Sequence, residues 1–329
     1  MSKPVLSAHF ESRTPSSVRL AQMKYEERKV KPQAVINVGI GNVSLPTNPA
    51  MQKRMFSLDA PESPFAKGVI RYTTTAGFTE CQDAFKNILK CEGFDTSKLY
   101  VQITDGGSAA MELVLLGVCG PAGTDEKPLM VIDPAYTNYI SFAERIGRKI
   151  VTVTRTLNEN GKFSLPELNK IEEAIKKHNP GALLVIPYDN PTGQLYDYET
   201  LKGLAALCVK YNMWFVSDEA YRELFYDEGG KLVSVWGVSD ADVPGIEGRR
   251  MSIETTSKVW NACGLRIGAL ITDSPEFNNR SVAEYTANLC ANAIGQYIFG
   301  ALAHESKEQI AAWCKNIREY YKELIFNVY

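Results

Sequence analysis

Seven short apolar runs alternate with helical patterns along this chain, and this alternation limits the fold more than any other feature. The runs end in turn or polar residues and read YVQIT, LMVID, KIVTVT, ALLVIPY, MWFVS, RRMSIET and GALIT. Strands that alternate with helices over such a length favour a mostly parallel sheet with helices on both faces. We therefore predict an α/β fold, with a mostly parallel seven-stranded sheet flanked by helices.

Length and composition narrow the class of protein further. A chain of 329 residues exceeds what one small core usually organises, so we expect a second, smaller lobe beside the sheet domain. The 38 acidic and 36 basic residues nearly balance, which gives no electrostatic footprint for nucleic acid. No run of about 18 apolar residues occurs, and the first residues contain no apolar leader, so we expect neither membrane insertion nor export.

The cysteine pattern predicts a reducing compartment. There are seven cysteines, an odd number, and they form no CxxC pair. No histidine lies at the spacing of a metal ligand, so we predict no metal site. Reduced thiols in a cytoplasmic protein are the interpretation that fits.

Polar residues gather directly after the strand-like runs. In open α/β sheets, ligands bind beyond the carboxyl ends of the strands, so these residues are predicted to converge on one site. They are Asp105 to Ser108, Tyr136, Asn190, Asp218 with Tyr221, and Thr255 to Lys258.

Two of these groups suggest a charged ligand. The segment GGSAAMEL puts Gly107 and Ser108 at the start of a helix, where unpaired N–H groups suit a phosphate. The alternative is a simple turn in which Ser108 caps the helix. Asp218 follows an apolar strand, so its carboxylate needs a cation or a hydrogen-bond donor, unless it merely caps the next helix.

The segment INVGIGNVSLPTNP invites comparison with a dinucleotide-binding loop, because its glycines follow a strand-like run. That interpretation requires a third glycine and a helix after it. The segment has no third glycine at the required spacing, and Pro46 and Pro49 would interrupt the helix that should follow. A nicotinamide-dependent oxidoreductase is therefore disfavoured.

Three motifs, YDNPTG, VSDEAY and TTSKVWNACGLRIG, carry a family resemblance. From about Ile36 to its end the chain resembles the class I and II aminotransferases of the fold type I pyridoxal-phosphate family. The resemblance implies that Lys258 forms a Schiff base with the cofactor aldehyde and later shuttles the substrate α-proton. It implies that Asp218 keeps the pyridine nitrogen protonated, that Tyr221 and Asn190 hydrogen-bond the ring oxygen, and that Arg266 clamps the phosphate.

Weaker matches add further expected site residues. Gly107 and Ser108 resemble the phosphate-binding turn, and Thr255 stands where the family usually has serine or glycine. The other three matches are Tyr136 as the residue that stacks on the ring, Tyr72 as a tyrosine that reaches the phosphate across a homodimer, and Gly41 as a glycine near the substrate carboxylate.

The resemblance also implies a division of the chain. Residues 1–50 would form an N-terminal segment and part of a small lobe, 51–290 the large cofactor-binding domain, and 291–329 an interdomain helix and the start of a C-terminal lobe. In the family that lobe supplies an arginine for the substrate carboxylate. Arg280 and Arg318 match nothing in that motif, so we assign neither and expect a fragment or a truncated relative.

The function that the resemblance implies is transfer of an amino group between an amino acid and a 2-oxo acid. A lyase or synthase of the same fold, or a truncated homologue that binds the cofactor but turns over poorly, remains an alternative. A regulatory module that has lost catalysis is a third possibility, although intact Lys258, Asp218 and Tyr221 argue against it.

Overall fold

The computed structural model describes residues 4–30, 32, 41, 43, 45–226 and 229–328. The chain divides into two compact units, Met1–Val43 and Ser44–Tyr329. In the described part of the first unit lie the helices α1 (Ala8–Glu11) and α2 (Ser17–Glu26). Serine hydroxyls begin both helices: Ser7 accepts a hydrogen bond from the Phe10 N–H, and Ser16 accepts one from the Arg19 N–H. Each serine thus satisfies one unpaired donor of the first turn.

The second unit contains the sheet and its helices. Its strands are β1 (Tyr100–Thr104), β2 (Leu129–Asp133), β3 (Ile150–Thr154), β4 (Ala182–Val185), β5 (Trp214–Asp218), β6 (Arg250–Thr255) and β7 (Gly268–Thr272). Its α-helices are α3 (Pro49–Met55), α4 (Thr79–Cys91), α5 (Gly106–Val118), α6 (Asn138–Arg145), α7 (Leu168–His178), α8 (Tyr198–Lys210), α9 (Pro275–Tyr285), α10 (Ala293–Gly300) and α11 (Lys307–Val328).

The sheet has the strand order β1-β7-β6-β5-β4-β2-β3. Strand β7 runs antiparallel to both of its neighbours, whereas the other pairs are parallel. The prediction of a mostly parallel seven-stranded sheet flanked by helices is confirmed. Every residue of β6 and β7 is buried, as expected for strands that are covered on both faces.

Alternate residues of the strands enter two different hydrophobic clusters. Phe215 of β5 packs in one cluster with side chains of α4, α7 and α8. Its neighbour Val216 packs in the other cluster with side chains of α5, α6 and α9. Because successive side chains of a strand point to opposite faces, these clusters are the two sides of the sheet.

Two expectations from the sequence need correction. The sequence predicts that α5 begins at Ser108, whereas the helix begins two residues earlier, at Gly106. The sequence DEGGKLVSVWGVSDADVPGIEG, residues 227–248, predicts a surface loop, yet Val235, Trp236 and Val238 are buried in the core. Residues 227 and 228 lie outside the described residues. Among the helices that are described, none is long and apolar enough to cross a membrane.

Candidate active site

The carboxyl ends of the parallel strands bring most of the predicted residues to one edge of the sheet. Tyr136 follows β2, Asn190 follows β4, Asp218 ends β5, and Lys258 follows β6. Strand β7 begins at this same edge, since Gly268 pairs with Thr104 of β1 and with Thr255 of β6. The loop before β7 therefore places Arg266 at this same edge of the sheet.

A helix start and an arginine form one end of the site. No side chain caps α5, so the N–H groups of its first turn keep their hydrogen-bonding capacity. Gly106 has a φ of +75°, and a Cβ added there would collide with the Arg266 guanidinium. That guanidinium donates to the carbonyl oxygens of Cys263 at 3.1 Å and of Asp105 at 3.5 Å. An arginine thus lies directly against the positive end of a helix, an arrangement suited to an anion.

Close backbone packing fixes this end of the site. A Cβ at Gly268 would lie 2.5 Å from the carbonyl carbon of Gly106 and 2.6 Å from the nitrogen of Gly107. A Cβ at Gly107 would lie 3.6 Å from the Cβ of Thr255. Thr255 in turn is hydrogen-bonded to Ser257, with 2.8 Å between the hydroxyl oxygens. The predicted phosphate turn and Thr255 are therefore neighbours, and glycine is needed where the strand meets the turn.

A buried carboxylate occupies another part of the edge. The Tyr139 hydroxyl donates to Oδ2 of Asp218 at 2.5 Å, and the Ala220 N–H donates to Oδ1 at 3.0 Å. Burial raises the pKa of Asp218 above its usual range, although both hydrogen bonds act in the opposite direction. Two neutral donors thus leave the charge of this carboxylate undercompensated, and a cation beside it would stabilise the ionised form.

Lys258 lies beside Tyr221. Its Nζ is 5.7 Å from the centroid of the Tyr221 ring. Burial lowers the pKa of Lys258, which favours the neutral amine. Burial and the charge of Asp218 raise the pKa of Tyr221 to about 12, so its hydroxyl keeps its proton and can donate a hydrogen bond.

The charges of the site act on one another through Tyr136. Burial and the Asp218 carboxylate raise the pKa of Tyr136, whereas the Arg266 guanidinium lowers it. Tyr136 therefore lies within electrostatic reach of both charged groups. Its ring packs edge-on against Tyr139 with 5.5 Å between the centroids, and it is partly exposed, which leaves a face open to a ligand.

Two predicted site residues, Gly41 and Tyr72, do not follow any of these strands. Gly41 belongs to the first unit and is exposed. Tyr72 lies in a segment without helix or strand, and 78% of its surface is exposed. The roles given to them by resemblance stay predictions.

The structure adds one residue that the sequence did not single out, and it shows contacts of Asp105 that the sequence did not predict. This residue is Tyr139, which lies on α6 and is connected to the site by its hydrogen bond to Asp218. Asp105 is among the polar residues expected at the strand ends, and its carboxylate accepts from the Tyr285 hydroxyl at 2.8 Å and from the Asn292 N–H at 3.3 Å. No local sequence signal pairs Asp105 with α9 and the start of α10, because the partners are far apart along the chain.

These groups fit pyridoxal phosphate. An uncapped helix start with an arginine beside it suits the phosphate, and a buried carboxylate with a raised pKa suits a protonated ring nitrogen. A lysine amine whose pKa is lowered by burial suits attachment of an aldehyde. The three groups stand on different strand ends of one sheet edge, so an elongated ligand could meet all of them.

Comparisons with known proteins identify the family of this chain. The sequence model of the family "Aminotransferase class I and II" matches residues 34–326. A probable aspartate aminotransferase of Methanocaldococcus jannaschii is 29% identical over 84% of this chain and 71% of its own length. An aspartate aminotransferase of Sulfurisphaera tokodaii is 27% identical over 90% of this chain and 70% of its own length.

A solved structure shows the same fold. The aspartate aminotransferase of Thermus thermophilus with maleate superposes with a TM-score of 0.79 at 21% identity, covering 98% of this chain and 78% of its own. The family match spans most of the chain, and it includes all the strand ends that carry the site. The chain thus belongs to the aminotransferase class I and II family of pyridoxal-phosphate enzymes.

Proposed function

We propose that this chain moves an amino group between an amino acid and a 2-oxo acid, with pyridoxal phosphate attached through Nζ of Lys258. One observation carries the proposal: a lysine amine, a buried carboxylate and an arginine beside an uncapped helix share one edge of the sheet. When bound, the cofactor supplies an electron sink that lets the α-carbon of an amino acid lose its proton.

The phosphate end is assigned to the α5 turn. N–H groups of Gly107 and Ser108 and the guanidinium of Arg266 would bind the phosphate oxygens, and the Thr255 hydroxyl adds a neutral donor. The planar guanidinium can make paired charge-assisted hydrogen bonds, which fix orientation as well as supplying affinity.

The ring end is assigned to Asp218. An ionised Asp218 would hold a proton on the pyridine nitrogen, and Tyr139 would hold Asp218. Tyr221 and Asn190 would donate to the ring oxygen, while Tyr136 would stack on the ring face. This assignment is supported by the raised pKa of Asp218, since a nearby cation removes the penalty of its buried charge.

The proton transfer is assigned to Lys258. To take a proton from the α-carbon of the substrate, the free amine of Lys258 would have to be neutral. Burial favours the neutral form by lowering the pKa of Lys258, and a cationic ring close by would favour it further. The same amine would hold that proton and later give it back.

Aspartate is the first amino donor to test, because the relatives described above carry that name. Gly41 is proposed near the substrate carboxylate, on the resemblance alone. The earlier division at 1–50, 51–290 and 291–329 is likewise proposed, as the division of labour between substrate and cofactor binding.

A homodimer is part of the proposal, with Tyr72 reaching the phosphate of the neighbouring site. Val69, Ile70 and Tyr72 expose large side chains in one segment, as residues at an interface do before association. A cytoplasmic location is also proposed, and it is supported by the seven cysteines, all of which are free thiols.

The test is a spectrum of purified protein with pyridoxal phosphate, followed by borohydride and mass analysis. The wild type should retain one cofactor on the peptide that contains Lys258, and Lys258→Ala should retain none. The exposed Lys98 serves as a control, since Lys98→Ala should behave like the wild type.

A panel of amino acids, starting with aspartate, then separates transamination from lyase or synthase chemistry. Stoichiometric release of the matching oxo acid, one per bound cofactor, supports transamination. Release of other products in repeated turnovers without a 2-oxo acid would instead favour the alternatives.

A further inference from the structure

One buried arginine connects two of the loops that carry the site. Arg155 follows β3, and its N–H donates to the carbonyl oxygen of Asp133, the last residue of β2, at 2.8 Å. Its guanidinium then donates to the Pro134 carbonyl oxygen at 3.2 Å and to Oδ2 of Asp189. Pro134 lies two residues before Tyr136, and Asp189 lies immediately before Asn190. A single side chain therefore spans the loop after β2 and the loop after β4.

The Asn190 turn is organised around the partner of that arginine. Oδ2 of Asp189 also accepts from the Thr192 hydroxyl, and the Gly193 N–H donates to the Asp189 carbonyl oxygen at 2.8 Å. Gln194 ties the far side of this turn to the same arginine, because its Oε1 accepts a hydrogen bond from the Arg155 guanidinium at 2.9 Å. The orientation of Asn190 thus depends on a turn whose internal hydrogen bonds end on Asp189 and Arg155.

This ion pair is sealed from solvent. Only 2% of each side chain is exposed, so neither can touch a ligand bound at the sheet edge. The guanidinium carbon lies 5.6 Å from the centroid of the Phe163 ring and 5.9 Å from that of Tyr196. Nε of Arg155 has no hydrogen-bond partner among the described residues. A pair that is buried and incompletely satisfied is a poor source of stability, and apolar residues of similar volume often do as well or better.

We propose that Arg155 and Asp189 are positioning residues, which set Tyr136 and Asn190 at the separation that the cofactor ring requires. This inference rests on the proposed function, in which those two residues meet the ring. The pair acts through the backbone: Arg155 holds the start of one loop at Pro134, and Asp189 holds the start of the other. The pair therefore mainly sets the positions of Tyr136 and Asn190 relative to the cofactor ring, and it contributes less to the stability of the fold.

The test replaces both charges at once, by Arg155→Met with Asp189→Leu, so that no unpaired charge remains buried. Three quantities are measured: the unfolding midpoint without cofactor, the dissociation constant for pyridoxal phosphate, and the pKa from the absorbance of the cofactor bound at Lys258. We expect an unfolding midpoint close to that of the wild type, a cofactor affinity lower by about tenfold, and a displaced absorbance pKa, because Asn190 would no longer be aligned with the ring oxygen.

A matched control lies on β6 and the loop after β7, away from the site edge. Arg250 Nε donates to Oδ2 of Asp273 at 2.7 Å, and both side chains are buried. Because Arg250 begins β6, Arg250→Met with Asp273→Leu removes a similar pair where the strand is farthest from Lys258. This variant should keep the wild-type cofactor affinity and absorbance pKa, whatever its effect on the unfolding midpoint.

Several results would overturn the inference. It fails if the Arg155 and Asp189 double variant binds the cofactor with the wild-type affinity and absorbance pKa, or if the control pair lowers the affinity equally. Should the double variant not fold, Asp189→Ala decides, since it removes the acceptor that Arg155 and Thr192 share. Wild-type affinity and absorbance pKa in this variant would also overturn the inference. Wild-type protein that attaches no cofactor at Lys258 would instead refute the proposed function, and this inference with it.

Discussion

The hydroxyl of Tyr139 donates a hydrogen bond of 2.5 Å to the carboxylate of Asp218. Tyr139 stands on α6 and Asp218 at the end of β5, so the contact joins two elements that are far apart along the chain. It is one of two neutral donors on a carboxylate whose pKa burial raises. The ionisation of Asp218, and with it the contact that we propose to the ring nitrogen, thus depends on Tyr139.

Tyr139→Phe should therefore move the acid limb of the pH profile. The hydrogen bond lowers the pKa of Asp218, so its loss raises that pKa further, and Asp218 takes up a proton at a higher pH than in the wild type. Hydrogen bonds to charged groups contribute about 1.5–3 kcal/mol, so we expect kcat/KM to fall by about tenfold or more. The measurement is kcat/KM for the amino donor against pH. Tyr198→Phe, on α8, should leave the limb in place.

Gly106→Ala tests the phosphate end. The residue has a φ of +75°, and its new methyl group would displace the Arg266 guanidinium. Gly161 is a matched control, since it has a φ of +76° and nothing lies within 4 Å of an added Cβ. Both variants should lose about 1–2 kcal/mol of unfolding free energy. Only Gly106→Ala should weaken cofactor binding, by about tenfold, in an equilibrium titration. Equal losses of affinity would contradict the role given to Arg266.

A mixing experiment tests the role of Tyr72 in a homodimer. Tyr72→Ala would remove a phosphate contact from the neighbouring site, whereas Lys258→Ala would remove the attachment point from its own site. Each variant alone should show little activity. Random mixing of unfolded chains followed by refolding should restore about a quarter of the wild-type activity, because half the dimers are mixed and each holds one complete site. No recovery, with dimers present by light scattering, would count against Tyr72.

Stability should fall as the pH rises, because of Glu92. This carboxyl is buried against the Arg222 Nε at 2.7 Å, and Arg222 is also paired with Glu219 and Glu254. Burial raises the pKa of Glu92 to about 8, despite the opposing effect of Arg222. Between pH 5 and pH 8 the unfolded chain has lost this proton while the folded chain keeps it, so unfolding becomes easier as the pH increases.

Glu92→Gln should flatten that dependence. The amide resembles the protonated acid and can still accept from Arg222. Urea unfolding from pH 5 to pH 8 should show a loss on the order of 2 kcal/mol in the wild type, and a smaller one in the variant. Glu199→Gln, at an exposed position of α8, should keep the wild-type slope. A wild-type slope in Glu92→Gln would show that another group is responsible.

Much of the fold can be predicted from local sequence. The apolar runs mark all seven strands to within a few residues, because strand burial requires continuous apolar segments. The start of α5 is harder to predict, since two glycines give no helical signal of their own. The position of β7 between β1 and β6 depends on pairings between distant segments, which no local pattern encodes.

The candidate site likewise contains residues that sequence motifs identify and residues that only the tertiary structure identifies. Motifs such as VSDEAY identify residues that would meet the cofactor, because the chemistry demands a carboxylate there. The sequence does not identify Tyr139 or Arg155, because each contacts a partner that is distant along the chain. Tyr139 contacts Asp218, and Arg155 contacts Asp189. Their importance depends on tertiary distance, and a tyrosine or arginine in isolation is unremarkable.

The reversed direction of β7 has a consequence for how this enzyme can change. The chain leaves the sheet at Thr255 and re-enters it at Gly268, residues that face each other on adjacent strands. Lys258 and Arg266 therefore belong to one loop, and both ends of this loop are held by pairing between β6 and β7. Lengthening or shortening the segment 256–267 would shift the amine and the guanidinium together, so the covalent anchoring and the anion binding that we propose could be adjusted only as a unit.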